Sequence, residues 1–170
     1  MTKEHTNLLG TEELLIETTV NGERIVKSVG VRQHLADFVR IELGLTGTHL
    51  GCEHGICGSC SVLLDGEIVR GCLTLAVQAH GRVVQTIEGA SDSGELRDLQ
   101  EAFSRRNAFQ CGYCTAGMLL TAHALLRERT ALTRVEIREH ISGNFCRCTG
   151  YQAIVDAIAD VALLRAGLKS

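Results

Sequence analysis

The sequence predicts an α+β chain in two parts: a small mixed sheet over one main helix, followed by an all-α part of four helices. Three observations predict it. Runs of β-prone residues around hairpin signals are confined to the first half. Beyond residue 89 no strand pattern survives and helical periodicity takes over. Eight cysteines fall into two quartets, one in each part.

Residues 13–20 (ELLIETTV) and 24–29 (RIVKSV) flank Asn21-Gly22, a strong signal for a two-residue hairpin. Residues 33–43 follow as a helix, with Leu35, Phe38, Val39 and Leu43 near helical spacing and Gly44 as a stop. Residues 47–60 (GTHLGCEHGICGSC) hold four glycines and three cysteines and read as a loop. A second hairpin runs from Ser61-Val62-Leu63-Leu64 through Asp65-Gly66 to Glu67-Ile68-Val69. Residues 73–79 suggest a short helix, and Val83-Val84 a last strand. Residues 89–94 (GASDSG) read as a small polar linker between a domain over 12–88 and another over 95–166.

The four helices of the second part are expected at 96–106, 116–128, 134–142 and 150–165. The third is the best specified: Thr133 and Glu136 form a capping box, Leu132 and Ile137 can staple it, and Gly143 can end it. Thr149 and Gln152 stand in the same capping relation for the fourth, whose face carries Ile154, Ala157, Ile158 and Val161. Cys114-Thr115 and Cys148-Thr149 each place a cysteine directly before an expected N-cap threonine. Two helix N-termini would then open at the second quartet, and their free N–H groups and positive dipole ends favour an anion.

A formal net charge of −3 and the lack of a Lys/Arg-rich run argue against nucleic-acid binding. No apolar stretch is long enough to span a membrane. The opening Met1-Thr2-Lys3-Glu4-His5-Thr6-Asn7 lacks the pattern of a secretory signal, so a cytoplasmic location is expected. The apolar fraction of 45% suits a globular chain, and the scarcity of aromatics points to aliphatic cores.

The quartets read C-x4-C-x2-C-x11-C (Cys52, Cys57, Cys60, Cys72) and C-x2-C-x31-C-x-C (Cys111, Cys114, Cys146, Cys148). The first opens with the spacing that plant-type ferredoxins use for a [2Fe–2S] cluster. Disulfides belong to exported chains, and nothing here indicates export. Structural zinc is a stronger alternative than disulfides, and the second quartet alone leaves zinc and iron–sulfur close to even, but paired C-x2-C halves dominate zinc sites and the first quartet does not resemble them. A Rieske centre would need two histidine ligands, and Cys52-Glu53-His54 has no C-x2-H counterpart. Gly51, Gly55 and Gly58 lie beside or between the first ligands, where wrapping a cluster needs backbone conformations that other residues resist.

Three segments carry a family resemblance: GCEHGICGSCSVLLDG (51–66), QCGYCTAGM (110–118) and GNFCRCTGYQ (143–152). They resemble the small iron–sulfur subunit of the molybdenum hydroxylases, the xanthine dehydrogenase and aldehyde oxidoreductase family, over residues 12–165. The resemblance implies a plant-ferredoxin-like β-grasp domain and then a four-helix domain with pseudo-two-fold symmetry. It implies a large partner subunit holding a molybdenum–pterin cofactor and a medium partner subunit holding FAD, in a heterotrimer or its dimer. It further implies two [2Fe–2S] clusters passing electrons from molybdenum to FAD. Cys111, Cys114, Cys146 and Cys148 would hold the one nearer molybdenum, and Cys52, Cys57, Cys60 and Cys72 the one nearer flavin. Gln110 and Cys148 match family positions that touch the pterin. Ala116 stands where the family commonly has a proline at the first helical position, Phe145 replaces a frequent leucine, and Asn107, Ala108 and Phe109 also depart from the usual run.

The function expected is therefore that of a non-catalytic electron-transfer subunit of a molybdenum-dependent oxidoreductase. Two readings compete with it: a free two-cluster ferredoxin and a zinc-stabilised interaction module. A brown rather than colourless protein separates iron from zinc. No catalytic residue is assigned to this chain. His54, inside the first ligand loop, could hydrogen-bond a sulfur or simply be solvated. The substrate is not legible, because its contacts would lie on the large subunit.

Overall fold

The computed structural model describes residues 12–129 and 131–167, so the reading of Met1–Asn7 as lacking a signal lies outside the described residues. Strands β1 (Glu13–Val20) and β2 (Glu23–Gly30) form the first hairpin, with Val20 opposite Glu23. Asn21 and Gly22 turn it at φ 51° and 87°, both left-handed, as a type I′ turn requires. Helix α1 (Leu35–Asp37) runs on into a π-helical turn, Phe38–Glu42. Strands β3 (Ser61–Leu64) and β4 (Glu67–Arg70) form the second hairpin around Asp65-Gly66. The short helix expected over 73–79 is a 3₁₀ turn at Ala76–Ala79, and β5 is Val83–Gln85.

The mixed sheet has the order β2-β1-β5-β3-β4, with β5 parallel to β1 and antiparallel to β3. All four residues of β3 are buried, which explains its unbroken apolar run. Alternate side chains of a strand face opposite sides. Val62 and Leu64 join Ile16, Val29, Phe38 and Val84 in the core beneath α1, whereas Leu63 joins Leu99, Met118 and Ile158 in the helical core. One strand thus serves both hydrophobic cores.

The helices that follow are α2 (Ile87–Asp92), α3 (Arg97–Arg105), α4 (Thr115–Glu128), α5 (Arg134–His140) and α6 (Gln152–Arg165). α2 occupies much of the segment read as a linker. Its composition disfavours helix, but tertiary contacts override so weak a preference. The Asn21 carboxamide accepts from the Thr86 N–H at 2.8 Å, Ala90 is buried, and a Cβ on Gly89 would strike Asn21. Gly94, at φ 82°, turns the chain toward α3.

The Thr133–Glu136 capping box forms: the Thr133 hydroxyl accepts from the Glu136 N–H at 3.2 Å, and the Glu136 carboxylate accepts from the Thr133 N–H at 2.8 Å. The other two expected caps do not. Cys114 itself is the N-cap of α4, making Thr115 the first helical residue and Ala116 the second. The N-cap of α6 is Tyr151 in a left-handed conformation, φ 69°, and Thr149 turns to Cys146 instead. α3 and α6 are tied by a two-pronged Arg106–Asp160 pair and by Arg165 on Asp98.

Candidate metal centres

The second hairpin assembles half of the first quartet. Ser61 pairs with Arg70 at its open end, so Cys60 and Cys72 flank its mouth despite the eleven residues between them. The Gly71 N–H donates to the Cys60 carbonyl at 3.0 Å, and a Cβ on Gly71 would crowd that oxygen. Cys60 and Cys72 are buried. Cys52 and Cys57, half-buried, sit on the preceding loop, which turns through left-handed Glu53, Gly55 and Gly58. The wrap aims two backbone N–H groups at the Cys52 sulfur, from Cys57 at 3.3 Å and His54 at 3.4 Å. His54 thus serves the sulfur through its amide.

The second quartet lies between two helix starts. Cys111 precedes α4, Cys114 caps it, and Cys146 and Cys148 lie on the segment entering α6. Cys148 Sγ is 3.6 Å from Cys111 Sγ, and the Cys114 and Cys146 thiols face each other. The Thr149 hydroxyl donates to Cys146 Sγ at 3.1 Å, and the Cys146 N–H donates to the Tyr151 hydroxyl at 2.9 Å. The Gln110 side chain donates to the Cys148 carbonyl at 2.9 Å.

The thiols are tuned in opposite directions. Amide donors from Cys57 and His54 hold Cys52 down at about 6. Burial pushes Cys60 up to about 11, and the facing Cys72 thiol adds to the rise. Burial, then the nearby Cys146 thiol, pushes Cys114 up to about 12. Cys146 is also penalised by burial, but the Thr149 hydroxyl and the amides of Cys148 and Thr149 outweigh that and lower it. Protons held on the raised thiols would leave when a cation binds, because thiolate is the ligand form.

The thiols meet in twos: Cys60 with Cys72, Cys111 with Cys148, and Cys114 with Cys146. A structural zinc needs four ligands around one point, whereas a binuclear iron centre takes two thiolates on each iron. The donor set fits the binuclear group.

A seam joins the two sites. The Phe145 N–H donates to the Cys57 carbonyl at 2.8 Å, and Asn144 Nδ2 to the Gly58 carbonyl at 3.2 Å. Buried Asn144 also accepts from the Thr121 hydroxyl at 3.1 Å. His49 stacks on Tyr113 with ring centroids 4.6 Å apart, and the Tyr113 hydroxyl donates to the Leu50 carbonyl at 2.6 Å. A Cβ on Gly117 would strike the Gly58 carbonyl, and one on Gly58 would lie 2.6 Å from the Gly143 carbonyl. Sequence reasoning missed this seam. Its residues carry no periodicity that would have marked them.

Residues 18–87 match the family described as the 2Fe-2S iron-sulfur cluster binding domain, and residues 86–159 the [2Fe-2S] binding domain. The small subunit of nicotine 6-hydroxylase from Paenarthrobacter nicotinovorans is 53% identical over 85% of this chain and 87% of that one. The iron-sulfur-binding subunit of xanthine dehydrogenase from Escherichia coli O157:H7 is 41% identical over 88% of this chain and 94% of that one. In the crystal structure of quinoline 2-oxidoreductase from Pseudomonas putida 86, one chain superposes with a TM-score of 0.85 at 53% identity, covering 91% of this chain and 95% of that one.

Proposed function

The chain belongs to the iron–sulfur small subunits of the xanthine dehydrogenase and aldehyde oxidoreductase family, and from that premise we propose how its residues serve electron transfer in a molybdenum hydroxylase. Cys52, Cys57, Cys60 and Cys72 hold one [2Fe–2S] cluster, and Cys111, Cys114, Cys146 and Cys148 hold the other. When bound, the two clusters supply one-electron carriers between a molybdenum–pterin centre and FAD on partner subunits. The carrying observation is the pairing of thiols within each quartet, together with the backbone bond from Phe145 to Cys57 that joins the quartets.

The chain's own residues do the rest. Amides on Cys52 and the Thr149 hydroxyl on Cys146 stabilise negative charge at sulfur, one of the means by which proteins tune such centres. Two units divide the work, a ferredoxin-like β-grasp domain over 12–88 and a four-helix domain over 95–166, with α2 bracing the join. Gln110 and Cys148 form the face toward the pterin, where the Gln110 side chain is already held against the Cys148 carbonyl.

Exposed apolar side chains border both sites. Phe109 and Phe145 lie beside the second quartet, Ile56 and Leu73 beside the first. These faces suit fixed partners, a molybdenum-binding large subunit at the second site and an FAD-binding medium subunit at the first. Among the described residues no helix is long and apolar enough to cross a membrane, and we place the complex in the cytoplasm. The relatives compared above are named for nicotine, xanthine and quinoline, all nitrogen heterocycles, which are the compounds to screen first with the assembled complex.

The test is metal analysis of the purified chain. It should be brown, with about four iron and four sulfide per chain, two of each per cluster. Colourless protein containing zinc overturns the reading.

A further inference from the structure

Arg70 ends β4, two residues before Cys72, and its side chain crosses the seam. One guanidinium nitrogen reaches the Ser61 hydroxyl. The other donates to the Gly143 carbonyl at 2.7 Å and lies 3.4 Å from Asn144 Oδ1. All three acceptors are neutral. Among the described residues no carboxylate pairs with Arg70, whereas Arg82, Arg106, Arg134 and Arg165 each hold an aspartate.

A half-buried guanidinium without a counter-ion is costly, and neutral acceptors recover only part of that cost. The fork grips Gly143 and Asn144, which lead directly into Phe145 and Cys146. The backbone behind it leads through Gly71 into Cys72. The charge therefore stands between the two quartets. A cluster held by four thiolates is anionic and gains one further negative charge when it accepts an electron. The counter-charge that Arg70 lacks among side chains is the charge that the occupied sites bring.

We propose that Arg70 is a positioning residue for electron transfer between the two sites: it clamps the Gly143–Asn144 segment against the first unit, and its unneutralised charge raises the reduction potential of both clusters. The proposal rests on both quartets holding clusters. A positive charge favours the reduced, more negative state of each centre, so its removal lowers both potentials. Each tenfold shift in a one-electron reduction equilibrium corresponds to about 59 mV.

The experiment is a redox titration of the full chain, followed by EPR, in the parent and two variants, after iron and sulfide have been measured in each. Arg70→Gln should lower both midpoint potentials by several-fold to tenfold in the reduction equilibrium. Arg70→Lys, which keeps the charge but loses the fork, should leave both close to the parent. Unmoved potentials in iron-loaded Arg70→Gln, or a fall confined to one cluster, overturn the proposal. If Arg70→Gln does not retain both clusters, Arg70→Met serves as the neutral variant: lowered potentials support the role of charge, and unmoved ones overturn it. A parent chain lacking iron removes the premise as well, an outcome distinct from unmoved potentials in a loaded variant.

Discussion

The backbone amide of Phe145 donates to the carbonyl of Cys57 at 2.8 Å, so the residue preceding one cysteine of the second quartet is bonded directly to a cysteine of the first. From Cys57 to Cys146 the path follows covalent backbone apart from that single hydrogen bond. Asn144 before it is extended, φ −118°, ψ 111°, the conformation that a following proline demands. Phe145→Pro therefore removes the donor without forcing its neighbour. Both clusters should still load, and electron exchange between them should slow. Rapid freezing of the assembled complex after substrate addition, with EPR of each centre, measures this; an unchanged rate assigns the exchange to another route.

Each quartet closes within its own unit, so the sites should fail separately. Cys57→Ser should remove the first cluster's EPR signal and leave the second. Cys114→Ser should do the reverse. Loss of both signals in each variant, with the chain still folded, would contradict independent centres.

Gly117 lets the first turn of α4 lie against the Gly58 carbonyl. Gly117→Ala puts a methyl into that contact, an overpacking that costs about 1–3 kcal/mol. A lower melting temperature should come with broadened signals from the first cluster, because the displaced atoms belong to its ligand loop. Parental melting and an unaltered spectrum would mean that the seam yields freely.

His123 is buried on α4, with Glu95 Oε2 3.3 Å from its Nε2. Burial holds its pKa below the ordinary 6.5; Glu95 opposes this, and Arg165 and Arg127 reinforce it. The unfolded chain therefore takes up the proton first on acidification. His123 costs no stability above 6.5, and stability falls as pH drops from there toward the lowered folded value. Melting at about pH 5.5 and about pH 7.5 should differ less in His123→Leu than in the parent. Equal pH dependence in the two would assign the acid sensitivity elsewhere.

Gln110→Ala should slow reduction of the clusters by substrate in the assembled complex and leave reduction by dithionite intact. Normal substrate-driven reduction would remove Gln110 from the pterin face.

Elements were legible where local chemistry dictates them. Asn21-Gly22 and Asp65-Gly66 specify their hairpins through left-handed turns, and Thr133–Glu136 specifies the start of α5. The cap at Thr149 was misread because a hydroxyl two residues upstream of the true cap found a sulfur acceptor, a partner that no local rule anticipates. Helix α2 was missed because Asn21, far away in sequence, supplies the contact that orders it. Arg70, Asn144 and Gly117 gain meaning only when the two units meet, so nothing near them in sequence could have revealed the seam.

The place of β5 between β1 and β3 makes it the strand that joins the two hairpins. Each hairpin can form as soon as it emerges, but neither is joined to the other until Val83–Gln85 has left the ribosome to pair with both. The ligand loop carrying Cys52 and Cys57 hangs between those hairpins, so the first site has all its cysteines before it has its frame. The second site waits longer still, for Cys148. Iron delivered to the nascent polypeptide would meet loose thiols, whereas iron delivered after release would meet a finished cradle.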